Sequence, residues 1–432
     1  MPSMPSMPRI AGLGLALLAF AGALHAATPR KNVANIAQAV EDNYFDVARG
    51  RQIAADLRAE AASGKYDALK DDRDLATALT DRLKPFDQHF TVRWTPPEPA
   101  GTAREPAARA APATDHGRRT NYGVRRVEVQ PGNIGYIDLR EFAHFQFGQP
   151  DQPARRAIDA ALQLVAGTDA LIIDLRNNGG GSPAMVGYLA SAFTAKGADI
   201  YNTFRTREGD VSEAPAEWHA APRLQTPLYV LTSARTGSAA EALAYTLKNA
   251  GRARVVGEPS AGAANPGGAV AAGNGFSVFV STGSPVSPIT RTNWEGSGVM
   301  PDVAVPAATA FETAKALALE AVLRGDLPDA EKVDTRWALE ALRAEATPPK
   351  DVPLDDYAGS YGALAIARDG DHLVLRRGRR PALTLVALGQ DAFTVAAESS
   401  SRVLFERGAD GKVIALETKT SEGASGRHRR EG

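Results

Sequence analysis

Apolar residues recur at helical spacing near the start of the chain. Ile36, Val40, Phe45, Ile53, Leu57, Leu69, Leu75 and Leu79 predict two or three amphipathic helices in a module over residues 28–86. From residue 122 to about 324, short apolar runs alternate with helical stripes. Strands are predicted at 124–129, 134–138, 170–175, 229–231 and 254–256, helices at 154–166, 185–193, 239–249 and 311–323, and an added strand at 276–281. That alternation predicts an α/β layer structure with a core over 87–325. A Pro/Ala-rich loop at 96–118 interrupts it, and a linker or helix fills 326–350. Further on, the runs Leu373-Val374-Leu375-Arg376, Leu383-Thr384-Leu385-Val386, Phe393-Thr394-Val395 and Val403-Leu404-Phe405 alternate with period two. Turns at Asp369-Gly370 and Asp410-Gly411 separate them, predicting a small antiparallel β-domain over 351–420. Residues 421–432, rich in Gly, Arg and Ser, read as a disordered tail.

Composition narrows the class of protein. Lys and Arg number 49 against 50 Asp and Glu, so the charge balance gives no reason to expect nucleic acid or an anionic membrane surface as partner. Arg9, the apolar run 10–24 and the small residues Ala26 and Ala27 form the three parts of a secretory signal over 1–27. No other run is long enough to span a bilayer. Cysteine is absent, which excludes disulfides and thiolate zinc sites and fits a bacterial periplasmic or secreted protein.

The segment around Ser238 carries the most chemistry. An apolar strand, Pro227-Leu228-Tyr229-Val230-Leu231, leads through a polar turn into the Ala-rich helix that starts at Ser238, where unpaired amides and the positive end of the macrodipole suit a serine hydroxyl that must form an oxyanion-bearing adduct. Ser238 and Glu241 also have capping-box spacing, so on this segment alone the serine reads first as an N-cap, and other segments shift that balance. A serine needs a base. Of seven histidines, His89, His144 and His219 are the candidates, with His89 lying between aromatics in Phe86-Asp87-Gln88-His89-Phe90. The glycine turn in Asp174-Leu175-Arg176-Asn177-Asn178-Gly179-Gly180-Gly181 follows a buried strand and can present amides to an anion, either as a phosphate cradle or, with Ala239 N–H, as an oxyanion hole. Neither phosphate-binding glycine fingerprint is present, and glycine in a tight turn needs no ligand to explain it. Glu295, amid Asn293-Trp294-Glu295-Gly296, is a carboxylate that could fix a partner.

Together these segments resemble the C-terminal-processing (tail-specific) serine peptidases, in the branch of the tricorn core and the interphotoreceptor retinoid-binding repeats. The matching pieces are Asp87-Gln88-His89, Ile134-Gly135-Tyr136-Ile137, the 174–181 run, 232–241, Gly257-Glu258-Pro259-Ser260-Ala261-Gly262 and Gly298-Val299-Met300-Pro301-Asp302, in the family's order. The resemblance implies a crotonase/ClpP-like ββα core with a helical module before it and the β-domain after it. It implies Ser238 as nucleophile, His89 as general base, Glu295 as the residue orienting that base, and the amides of Gly180 and Ala239 as oxyanion hole. The logic is that of a Ser–His–acid triad. The lysine of the family's Ser–Lys dyad, which would fall near Ala263-Ala264, is missing, and Lys248 lies nearly three helical turns from Ser238. There is no room for an inserted PDZ module. The expected activity is hydrolysis of peptide bonds in short or unfolded polypeptides, with no cofactor and no metal. A non-catalytic binder of apolar ligands or peptides, and a small-molecule ester or amide hydrolase, are the alternatives.

Overall fold

The computed structural model describes residues 28–96, 113–396 and 398–431. The expected signal, 1–27, and most of the loop at 96–118 lie outside the described residues. Three helices come first: α1 (Pro29–Asn43), α2 (Val47–Ala62) and α3 (Asp72–Leu83). Asp46 and Asp71 cap α2 and α3 by accepting the amides of Arg49 and Arg73. Their apolar stripes bury Ile36, Val40, Ile53, Leu57, Leu75 and Leu79 against strand β1 (Thr91–Trp94) and its sheet. The end of the expected loop is helical instead: α4 (Ala113–Arg119) places His116, Arg118 and Arg119 at its C-terminus, where cations suit the dipole, and Thr120 Oγ1 donates to His116 O.

The core runs β2 (Val124–Gln130), β3 (Ile134–Leu139), α5 (Pro153–Leu164), β4 (Ala170–Asp174), α6 (Pro183–Ser191), β5 (Thr203–Thr206), β6 (Gly209–Ser212), β7 (Leu228–Thr232), α7 (Ala239–Asn249) and β8 (Arg254–Gly257). It continues through β9 (Gly267–Gly273), β10 (Phe276–Ser281), β11 (Gly283–Val286), β12 (Val303–Ala304) and α8 (Ala310–Arg324). Six strands form one sheet in the order β12-β8-β7-β4-β3-β2, parallel except for the β2–β3 hairpin. Strands β3, β4 and β7 are buried along their length, which is why they read as continuous apolar runs. Leu171, Ile173 and Val230 face α5, α6 and α7, while Tyr136, Ile172, Tyr229 and Leu231 face α8.

The added strand at 276–281 does not join this sheet. As β10 it pairs with β1 and β9 in a separate three-stranded sheet, because its apolar side is claimed by the N-terminal helices through Phe276, Val278 and Val280. A third small sheet, β11-β5-β6, was not anticipated. Its strand β6 is exposed throughout and lacks the alternation that would mark it.

After α9 (Lys332–Ala346) and α10 (Leu354–Tyr357) come β13 (Gly359–Tyr361), β14 (Leu364–Asp369), β15 (His372–Arg377), β16 (Leu383–Gly389), β17 (Ala392–Val395), β18 (Glu398–Arg407), β19 (Val413–Thr420) and β20 (Ser425–Arg429). They form one antiparallel meander in chain order. Glu431 N–H donates to Ser360 O at 2.9 Å, so the last strand returns to the first and the sheet curls into a barrel-like unit. The tail expected to be disordered is therefore structured: β20 pairs with β19 from Lys419↔Ser425 to Ala415↔Arg429, and backbone pairing needs no apolar side chains. Among the described residues no helix is long and apolar enough to cross a membrane.

Candidate functional site

Strand β7 ends at Thr232 and the chain turns sharply into α7 at Ser238. Ser238 has φ 52° and ψ −121°, outside the extended conformation of an ordinary N-cap, a strain of about 1–3 kcal/mol that surrounding contacts must hold. Those contacts are specific. Gly237 N–H donates to Asn178 O at 3.0 Å, and the Ser238 amide donates to Glu241 Oε2 at 2.7 Å. The Ser238 side chain is exposed.

Glu241, on the first turn of α7, is fully buried. Besides the Ser238 amide its carboxylate accepts Ser260 Oγ at 2.6 Å, Gly262 N–H at 2.7 Å and Ala263 N–H at 2.9 Å. The capping-box spacing foretold the first bond; the other three pin the 260–263 loop beside the serine. Gly180 packs from the opposite side. A Cβ on it would lie 2.7 Å from Ser238 Cβ and 3.0 Å from Ala239 N, and its φ of +116° is itself a glycine conformation.

The expected oxyanion donors differ in availability. Ala239 N–H is the first amide of α7 and has no intrahelical acceptor. Gly180 N–H, by contrast, donates to Asn178 Oδ1 at 2.8 Å, so it is already engaged. The buried Asn178 holds this turn rigid, with Nδ2 donating to Leu139 O.

His89 follows α3, on the turn leading into β1, with its ring stacked on Phe279. Its Nδ1 lies 3.0 Å from Glu295 Oε1, the expected partner, and 3.2 Å from Asp87 Oδ1. The Asp87 contact has hydrogen-bond geometry, and Glu295 faces the ring as a charge without hydrogen-bond alignment. Asp87 is thus a second carboxylate against the ring, which sequence reasoning had placed only within a motif. It is buried, and it also accepts the His89 amide at 2.9 Å and Asn265 Nδ2 at 3.3 Å. Glu295 is held by its other oxygen, Oε2, which accepts the amides of Ala264 and Asn265, and the adjacent Trp294 packs on Tyr245 of α7.

The loop 260–265 therefore joins the two halves, bonded at one end to the carboxylate under Ser238 and at the other to the carboxylate facing His89. No hydrogen bond joins the Ser238 hydroxyl to His89 in this structure. The other candidate histidines are elsewhere: His144 Nδ1 is 3.1 Å from Ser182 Oγ, and His219 Nδ1 accepts the Ala221 amide. Lys248 is committed to Asp302 at 3.2 Å, far along α7.

The hydrogen bond to Asp87, then Glu295, raises the pKa of His89 to about 10 against the opposing effect of burial. Asp87 is buried, which alone would raise its pKa, yet its hydrogen bonds to His89 hold it below the ordinary 3.8. His89 therefore contributes stability that is complete below pH 6.5 and lost as pH climbs through about 10. Asp87 contributes stability that is present above 3.8 and lost on acidification. The ligand-capable atoms of Asp87, His89 and Glu295 lie within 4.8 Å of one another, a spacing that could also accept a divalent cation in place of the Nδ1 proton.

Residues 133–305 match the profile of peptidase family S41, and residues 19–120 match the N-terminal domain of S41 peptidases described from eukaryotic IRBP. Carboxyl-terminal-processing peptidase 2 of the Arabidopsis thaliana chloroplast is 29% identical over 225 residues, covering 48% of this chain and 41% of that protein. A carboxy-terminal-processing protease of Bartonella bacilliformis is 26% identical over 230 residues, covering 52% and 51%. The chain thus spans about half or less of the length of these curated relatives. Among solved structures, a putative peptidase from Parabacteroides merdae aligns with 18% identity and a TM-score of 0.46, over 68% of this chain and 97% of that one. The central core and the N-terminal helices of this chain are thus regions of peptidase family S41 type, each matched by its own family profile.

Proposed function

We propose that this chain is an exported serine peptidase, periplasmic or secreted, that hydrolyses short or unfolded polypeptides through an acyl-enzyme. The observation that carries this reading is an exposed, strained serine and a carboxylate-flanked imidazole fastened to opposite ends of one loop. Ser238 attacks the scissile carbonyl and gives its proton to His89 Nε2, whose other nitrogen faces Asp87 and Glu295. Ala239 N–H receives the developing oxyanion charge, with Gly180 N–H joining as it turns from Asn178. The imidazolium then protonates the leaving amine, and water, activated by the same base, releases the acyl group. Labelling of the intact chain with a fluorophosphonate tests this: the adduct maps to Ser238 by mass spectrometry and disappears in His89→Ala. Labelling at another residue, or none, refutes the assignment.

A base with a pKa of about 10 is neutral in roughly 10⁻³ of molecules at pH 7. Accordingly kcat/KM rises about tenfold per pH unit from neutrality toward the alkaline side. In Asp87→Asn this limb moves to lower pH by about 1–3 units, because one of the two stabilising charges is gone. Paired pH–rate profiles decide it. An unmoved limb would remove Asp87 from the proton-transfer system.

A further inference from the structure

We infer that the C-terminal barrel is a binding site for an amphiphile made of a single acyl chain with one carboxylate head, independently of the peptidase reading. The register fixes which side chains point inward. Across β14 to β19, the pairs Leu375↔Leu383, Leu385↔Val395 and Val403↔Thr418 share the inner face. One end of the interior is plugged by Tyr357, Phe393 and Phe405, whose rings lie 4.6–5.6 Å apart. Toward the other end the inner face is open. A cavity of about 690 Å³ has a floor of Leu364, Leu375, Leu383, Val395 and Val403. That volume lies within the ~300–1,000 Å³ of small-molecule sites, and an eight-stranded barrel is the size that can enclose one small ligand.

The mouth sets the charge of the ligand. Arg377 pairs with Leu364 and so projects on the inner side at the rim, and Arg380 follows on the adjoining turn. Of the other lining bases, Arg402 is bonded to Glu340 and Lys419 to Glu417, but among the described residues Arg377 and Arg380 form no ion pair. Glu398 is the one acid among the lining residues. His428, opposite Leu416 in the register, and Thr418 add polar groups on the same inner face. An apolar floor below two uncommitted guanidiniums fits a chain that ends in a carboxylate, since an arginine fork binds a carboxylate bidentately.

The test titrates the intact chain with a fluorescent fatty-acid analogue and displaces it with laurate, shorter saturated fatty acids or dodecyltrimethylammonium, all below their micelle concentrations. Laurate displaces the probe, affinity rises about fourfold per methylene, and the cationic amphiphile binds at least tenfold more weakly. Arg377→Glu raises the laurate Kd at least tenfold, and Val403→Trp, which fills the floor, removes binding. Arg377→Gln, a milder change at an exposed position, raises Kd severalfold and covers the case in which the charge reversal fails to fold. Absence of displacement, equal affinity for the cationic amphiphile, or unchanged affinity in folded Arg377→Gln and Val403→Trp overturns the inference.

Discussion

Replacing Ser238 by alanine lowers kcat/KM for a peptide substrate by about 10⁴–10⁶-fold, the size of effect seen when the nucleophile of a concerted set is removed. The side chain is exposed, so its hydroxyl supports little of the fold, and alanine can occupy the same backbone position at similar strain. Thermal stability should therefore change little while turnover collapses. His89→Ala should lose nearly as much, and the double variant no more than either alone, because the proposed mechanism uses the two groups in one step. Steady-state kinetics on the three variants test this. Residual activity above about 1% of native in Ser238→Ala would place the chemistry elsewhere.

The second large effect is structural. Glu241→Ala leaves the amides of Ser238, Gly262 and Ala263 and the Ser260 hydroxyl without their acceptor in a buried position. At about 1–3 kcal/mol per orphaned group, partly relieved by relaxation and entering water, the net loss is about 3–5 kcal/mol. Fluorophosphonate reactivity at Ser238 should fall with it, since the strained turn loses the bond to its own amide. Denaturant unfolding and labelling rates measure the two effects. A loss under about 1 kcal/mol would mean that Glu241 is merely a helix cap.

The same carboxylate shows where sequence reading stopped. Spacing alone revealed Glu241 as a partner of the Ser238 amide, because that contact lies within one helical turn. The three donors from Ser260, Gly262 and Ala263 lie about twenty residues on and leave no periodic trace. Helix α7 and strand β10 were read at their observed bounds, since the Ala-rich run and the period-two alternation are local signals. Which sheet β10 joins was not local: that depended on the helical module claiming its apolar face. Strand β9, Gly267–Gly273, is built of Gly, Ala and one Val, and no β-propensity marks it. His89, as one of three histidines, and Glu295 were legible as candidates from their local surroundings, and the family resemblance supplied their expected roles. Asp87 was not, because a carboxylate two residues before a histidine looks like any turn residue until the ring nitrogen is seen against it. The competition of Asn178 for the Gly180 amide was equally hidden, since it depends on a side-chain rotamer within the glycine turn.

The seam made by β20 has a consequence for how the barrel tolerates trimming. Without residues 425–429, the outer row of amides and carbonyls on β19 would face water unmet, while the floor beneath lost part of its wall. Such a rim is a template for another chain, so a protein clipped at this point would be prone to assemble edge to edge even with its central sheet untouched.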